Sequence, residues 1–138
     1  MSKRRQAREN ALKLLYQIDI SKNDIEVEEV LRGYCEQNSP SADVWEFTCR
    51  LVTGTLASLE EIDVLIKRFS KNWTLDRMSY IDRNILRMAV CELCFMQDIP
   101  AKVTINEAIE IAKKFGTEKS AVFVNGVLDG IKWDLGKS

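Results

Sequence analysis

Apolar side chains recur along nearly the whole chain at the period of an α-helix. The first such stretch places five apolar residues on one face of a helix over residues 3–20: Ala7, Ala11, Leu14, Leu15 and Ile18. The same period returns over residues 27–34, 44–55, 59–69, 81–93, 105–112 and 123–128. The pattern predicts an all-α protein of about seven helices, and no internal repeat is visible in it.

Capping residues and helix breakers mark the limits of several of these helices. Ser79 stands where an N-cap would open the most apolar helix, and Pro100 follows the end of that helix. Thr104 and Glu107 form a capping box, which predicts a helix start at Thr104. Gly116 occupies a position at which glycine commonly ends a helix.

Length and composition are those of one globular domain spanning residues 1–138. Of these residues, 46% are hydrophobic and 30% are charged, a balance that disfavours disorder. The longest apolar runs extend for only a few residues, whereas a membrane-spanning helix needs about 20. No apolar signal segment follows the basic start, so we expect a cytoplasmic protein that does not enter the membrane.

The formal net charge of −1 conceals an uneven distribution of charge. Residues 1–16 carry a net charge of +4, and the rest of the chain carries −5. The pI near 5.6 is not that of a generally basic nucleic-acid-binding protein, for which about 9 or more is expected. A local basic site on an acidic body remains open.

The residues needed for common catalytic and metal sites are missing. The chain contains no His, which removes the usual general base and the usual zinc nitrogen ligand. Cys91 and Cys94 form a CxxC, but Cys35 and Cys49 lie too far apart in the sequence to supply a second close pair. Neither a phosphate-binding Gly-rich loop nor a Gly-x-Ser-x-Gly turn is present. We therefore expect no catalytic residue, metal or cofactor, and cysteines that act as small buried hydrophobic residues.

The basic N-terminus is the first candidate binding surface. Helical spacing predicts that Arg4, Arg5 and Arg8 share one flank of the first helix, away from its apolar face. Cations in a first helical turn oppose the helix dipole, so their clustering suggests an anionic partner. Arginine also suits phosphate groups and stacks on bases. A solvated helix start without a partner is the alternative, and the pattern alone leaves both open.

A second candidate surface lies near the other end of the chain. Three lysines and two phenylalanines surround Gly116: Lys113, Lys114, Lys119, Phe115 and Phe123. Positive charge interleaved with aromatic rings at a corner between helices suits unstacked single-stranded bases. Burial of Phe115 in the core is the expected alternative, whereas Phe123 is left open between core and surface.

At these residues the chain resembles the NusB family of bacterial transcription antitermination factors. The resemblance is carried by residues 5–11, 15–17, 85–93 and 100–116, and by a closing block over residues 123–129. Its most specific segments are Ile105-Asn106-Glu107-Ala108-Ile109-Glu110 and Phe123-Val124-Asn125-Gly126-Val127-Leu128. Together these segments extend over the chain from end to end.

The resemblance implies an all-helical RNA-binding domain of two small packed bundles. Family members bind boxA single-stranded RNA of ribosomal RNA leader transcripts together with NusE, a ribosomal protein of the small subunit. Other Nus factors then join this complex to RNA polymerase, so that elongation passes terminators. The family's RNA contacts correspond here to the N-terminal helix and the corner between the last two helices: Lys3, Arg4, Arg5, Arg8, Tyr16, Glu118, Lys119 and Phe123.

Two departures from the family pattern predict weaker RNA binding by this chain alone. Gln6 interrupts the arginine run, and Val122 stands where relatives often carry a basic residue. Both changes predict greater reliance on NusE. Since a ribosomal protein brings positive charge, we expect NusE to bind the acidic and apolar flank around Asp76, Tyr80 and Asp82.

Two other functions remain as alternatives. Ribosomal RNA cytosine methyltransferases carry a NusB-like RNA-binding module, although no cofactor-binding domain follows in this sequence, which ends at Ser138. A protein-binding helical scaffold with a solvated basic helix belongs to a different class. The sequence also leaves monomer and homodimer open, and some relatives pair so that the basic helix is covered.

Overall fold

The computed structural model describes residues 2–22, 24–71 and 73–137. The two limits of the predicted domain, residues 1 and 138, lie outside these ranges. Within these ranges the chain forms seven α-helices: α1 (Lys3–Ser21), α2 (Val27–Asn38), α3 (Ala42–Ala57), α4 (Leu59–Phe69), α5 (Tyr80–Phe95), α6 (Ala101–Phe115) and α7 (Ser120–Asp134). A short 3-10 helix, Leu75–Arg77, precedes α5. None of these helices combines the length and the apolar character needed to cross a membrane.

The helices form two small bundles that meet along α5. Helix α1 packs against α2 and α3, whereas α5, α6 and α7 pack against one another and α4 packs against α5 and α7. Helix α5 contacts both groups, and its Ile85, Leu86 and Val90 side chains are completely buried. The predicted all-α fold of two small packed bundles is confirmed. Helices α1 and α6 both pack on α5, and ion pairs from Arg5 to Glu107 and from Lys114 to Glu9 join them to each other.

The predicted start of α6 is wrong, whereas that of α5 is confirmed. The Ser79 hydroxyl oxygen caps α5 by accepting a hydrogen bond from a backbone N–H of its first turn. Helix α6 begins at Ala101 with Pro100 at its N-cap, three residues before Thr104. The first N–H groups of a helix have no hydrogen-bond partner within it. Proline suits this boundary because it has no backbone N–H to leave unpaired. Thr104 and Glu107 therefore lie inside the helix, where their side chains are free to bind other helices.

The cysteines carry free thiols and take no part in a recognisable reactive site. Cys91 is buried, whereas the other three are half-buried, so the expectation of fully buried cysteines holds for Cys91 alone. Burial raises the pKa of the Cys49, Cys91 and Cys94 thiols, which keeps them protonated at neutral pH. In the described ranges, no three Cys, Asp or Glu side chains gather as a metal site would require.

Candidate nucleic-acid interface

The first turn of α1 presents three consecutive cations. Ser2 caps the helix, since its hydroxyl oxygen accepts a hydrogen bond of 3.0 Å from the backbone N–H of Arg5. The turn contains no acidic residue, so Lys3, Arg4 and Arg5 all oppose the helix dipole. The favourable interactions that hold these side chains must therefore come from other helices.

Arg8 is buried in a fork-shaped ion pair with Glu92 of α5. Its Nε and Nη2 atoms each lie 2.8 Å from an oxygen of the Glu92 carboxylate, and the residue is only 3% exposed. Thr104 of α6 donates a further hydrogen bond of 2.8 Å to the same carboxylate. This cluster joins α1, α5 and α6. Arg8 is expected to contact RNA, but the structure places its guanidinium inside the protein, where it is paired with Glu92 and shielded from solvent.

Arg5 pairs with Glu107 of α6 but remains partly accessible. Its Nε and Nη2 atoms donate hydrogen bonds of 2.9 and 2.7 Å to the two Glu107 oxygens, and about a third of its side chain is exposed. The hydrogen bond from Arg5 lowers the pKa of Glu107 and outweighs the opposing effect of burial. Glu107 is therefore a fixed anion that binds α1 to α6, and its predicted role as a cap partner is wrong.

The arginines of α1 do not share one flank, contrary to the prediction. Arg5 is directed to α6, whereas the exposed Arg4 guanidinium lies 4.1 Å from the ring centroid of Phe47 in α3. Lys3 also reaches α3, where it forms an exposed ion pair of 3.1 Å with Asp43. Helical spacing places these residues close together, but each side chain turns toward the ring or carboxylate within its reach.

Contacts between α1 and α6 continue the basic surface toward the second candidate region. Lys114 of α6 forms an ion pair of 2.9 Å with Glu9 of α1. The ammonium groups of Lys13 and Lys114 lie 5.9 and 5.4 Å from the ring centroid of Phe115. Phe115 is half-buried, so it belongs partly to the core and partly to this surface. The N-terminal cations and the end of α6 thus form one surface.

A tight corner joins α6 to α7. Gly116 ends α6 with an extended backbone, and the N–H of Thr117 donates a hydrogen bond of 2.9 Å to the Ser120 hydroxyl oxygen. A Cβ atom at position 116 would lie 2.6 Å from the Cβ of Ser120, so the close approach requires glycine. Glu118 and Lys119 are exposed on this corner. Their side chains are therefore available to a ligand.

A groove of about 570 Å³ lies between the corner and the segment before α5. Phe123, which sequence alone left undecided, is half-buried and lines it together with Glu118 and Lys119. Two apolar side chains of the lining stay in solvent: Trp73 is 51% exposed and Val122 is 77% exposed. An apolar groove with charged groups at its edge is suited to binding a base or a partner side chain.

Of the three residues predicted for the partner, Asp82 lines the same groove. It lines the groove opposite the α6–α7 corner, and its Oδ1 atom is buried without a hydrogen-bond partner in the described residues. Tyr80 contacts Tyr16 of α1 edge to face, with ring centroids 6.0 Å apart. Asp76 is exposed on the 3-10 helix. The residues predicted for RNA and for the partner therefore lie on adjoining surfaces.

Several residues that shape the surface were missed by sequence reasoning. The apolar period over residues 44–55 predicts only a core role for Phe47, yet its ring also lies beneath Arg4. Glu92 is the one charged residue in the apolar run over residues 88–95, and this is the one sequence signal of a buried ion pair. Nothing in the local sequence indicates that Arg8 is its partner.

Comparison with known proteins gives one consistent assignment of family. The NusB family model matches residues 5–132. The transcription antitermination protein NusB of Bacillus licheniformis is 50% identical over 133 residues, which cover 96% of this chain and 98% of that protein. Its counterpart in Myxococcus xanthus is 45% identical over 139 residues, which cover 99% of each chain.

Solved structures agree with the sequence relatives. T. maritima NusB superposes with a TM-score of 0.87 at 42% identity, covering 95% of this chain and 91% of that one. A crystal structure of the antitermination factors NusB and NusE in complex with dsRNA gives a TM-score of 0.86 at 30% identity, covering 97% and 98%. The fold, the family model and the relatives together show that the chain belongs to the NusB family.

Proposed function

We propose that this chain is a non-enzymatic transcription antitermination factor of the cytoplasm, acting as a single domain. It binds boxA single-stranded RNA of ribosomal RNA leader transcripts together with the ribosomal protein NusE, and other Nus factors link the complex to RNA polymerase. Two curated relatives are transcription antitermination proteins, and each is matched over nearly its full length. These matches support the proposed role. The related structure that contains NusE and RNA supports the choice of partners.

One observation carries the RNA-binding proposal: the basic start of α1 lies along α6, whose end carries the Phe115 ring and turns into the corner of Glu118 and Lys119. The Arg5–Glu107 and Lys114–Glu9 ion pairs hold the two helices side by side. The surface offers cations for phosphates and rings for bases, the combination that single-stranded RNA requires. We assign its RNA contacts to seven residues: Lys3, Arg4, Arg5, Tyr16, Glu118, Lys119 and Phe123.

The NusE surface is proposed at Asp76, Tyr80 and Asp82. The unpartnered Oδ1 atom of Asp82 supports this assignment, because a buried acceptor without a hydrogen bond is costly until a donor arrives. A basic ribosomal protein carries such donors. RNA at the corner and NusE at the start of α5 would then bind on adjoining surfaces, so each could strengthen the binding of the other.

Titration of labelled boxA RNA, with and without NusE, tests this function. If three or four phosphates are neutralised, the logarithm of the association constant should fall with the logarithm of salt concentration at a slope of about −2 to −3. Arg4→Gln should make that slope shallower by about 0.7, whereas Lys67→Gln, which removes an exposed cation from α4, should not change it. RNA binding in neither condition would indicate a protein-binding scaffold.

Phe123→Ala should weaken RNA binding by about 1–3 kcal/mol, because a stacked base loses its aromatic platform. Fluorescence anisotropy measures this loss, and thermal unfolding shows whether the variant keeps its fold. The exposed Val122→Ala at the rim of the same groove is the matched control, with little effect expected on either measurement. A loss of folding without a change in RNA affinity per folded molecule would place Phe123 in the core instead.

A further inference from the structure

Two arginines from different helices share the ring of Phe47. The guanidinium carbon of Arg4 in α1 lies 4.1 Å from the ring centroid, and that of Arg50 in α3 lies 5.7 Å from it. Both residues are exposed, whereas the ring itself is buried. Because both distances end at the same ring centroid, the two positive charges are at most about 10 Å apart. This limit is close to the Debye length of physiological salt, about 8 Å, so they are only partly screened from each other.

Neither of these arginines has a carboxylate partner among the described residues. The other cations of the first two turns of α1 are paired: Lys3 with Asp43, Arg5 with Glu107, and Arg8 with Glu92. Arg8 also lies near the Phe47 ring, at 5.4 Å, but Glu92 compensates its charge. Glu46, one turn before Arg50 on α3, forms no ion pair with it. The Phe47 ring thus gathers two uncompensated positive charges at the surface.

An arginine stacked on an aromatic ring keeps the N–H donors at its edge free for an anion. Two such groups side by side repel each other, and a phosphodiester backbone with its regular negative charges relieves this repulsion. We propose that Arg50 is a phosphate-binding residue of the RNA site, which extends the path of the strand from α1 onto α3. The inference rests on the proposed function, since it requires that the chain bind RNA.

Arg50→Gln tests the proposal, with Arg32→Gln as the matched control. Arg32 is an exposed arginine of α2 without an ion pair in the described residues, so both substitutions remove one free surface charge. Association with boxA RNA is measured over a range of salt concentrations. Arg50→Gln should make the salt slope shallower by about 0.7, which corresponds to about a fivefold loss of affinity at 0.1 M salt. Arg32→Gln should leave both unchanged, and Arg50→Lys should retain the slope.

The outcomes separate this inference from the function on which it rests. If wild type and Arg4→Gln behave as expected but Arg50→Gln matches Arg32→Gln, Arg50 is no RNA contact and the antitermination proposal is unaffected. If Arg50→Gln weakens the binding of NusE without RNA and leaves RNA affinity unchanged, the arginine serves a protein partner and the inference is overturned. If the wild type binds no RNA even with NusE, the proposed function fails first.

Discussion

Arg8→Met should lower the free energy of unfolding by about 3–5 kcal/mol, because it leaves the Glu92 carboxylate buried without its partner. The carboxylate is 2% exposed and cannot recover its hydration. Methionine retains an unbranched apolar stem, so lost packing contributes little. Urea unfolding followed by circular dichroism measures the change.

The combined substitution of Arg8 and Glu92 by methionine is the informative control. Removing both charges should recover most of the lost stability, since an apolar pair often replaces a buried ion pair without net cost. Arg4→Met, at an exposed site one turn earlier in α1, should change stability by no more than about 0.5 kcal/mol. A fully stable Arg8→Met protein with reduced RNA affinity would contradict the structural role and restore Arg8 to the RNA contacts.

The number of α-helices could be predicted from the sequence. A helix that buries one face needs apolar residues at the 3.6-residue period wherever it occurs in the chain. The 3.6-residue period marks all seven α-helices, and Ser79 marks the start of α5 correctly. The start of α6 could not be predicted from Thr104 and Glu107, because a hydroxyl and a carboxylate three residues apart serve equally well as contacts to other helices. Here Glu92 and Arg5 provide those contacts.

The location of the candidate site could be predicted, but the state of its charges could not. Local sequence shows a basic helix start and an aromatic corner near Gly116. It does not show that Arg8 meets Glu92 or that Arg5 meets Glu107, since residues far apart in the chain form both pairs. Counting cations along one helix therefore overestimates the charge that an RNA strand would encounter.

Much of the +4 charge at the N-terminus is neutralised by acids of the −5 body. Asp43, Glu92 and Glu107 pair with three of its cations: Lys3, Arg8 and Arg5 respectively. Few uncompensated charges remain to attract RNA of arbitrary sequence. This arrangement favours RNA binding through a short contact of complementary shape rather than through general electrostatic attraction. It agrees with the predicted reliance on NusE.

Asp19→Asn should lower the free energy of unfolding by about 2–3 kcal/mol at neutral pH, because hydrogen bonds to charged groups are among the strongest in proteins. The Asp19 carboxylate accepts two hydrogen bonds of 2.7 Å from Arg83, one of 2.8 Å from Asn84 and one of 3.0 Å from Arg87. These bonds join the end of α1 to α5. Arg87 retains its second partner, Asp63, which limits the loss.

The destabilisation by Asp19→Asn should shrink in acid. Burial alone would raise the pKa of Asp19, but hydrogen bonds from Arg83 and Asn84 and the charge of Arg87 hold it below the usual value. The contribution of Asp19 is therefore complete above its unfolded pKa of about 3.9 and is lost as pH falls through the lower folded value. Urea unfolding at a series of pH values should show the two proteins converging below about pH 4. A difference that stays constant into acid would show that Asp19 acts through packing and that its charge contributes nothing.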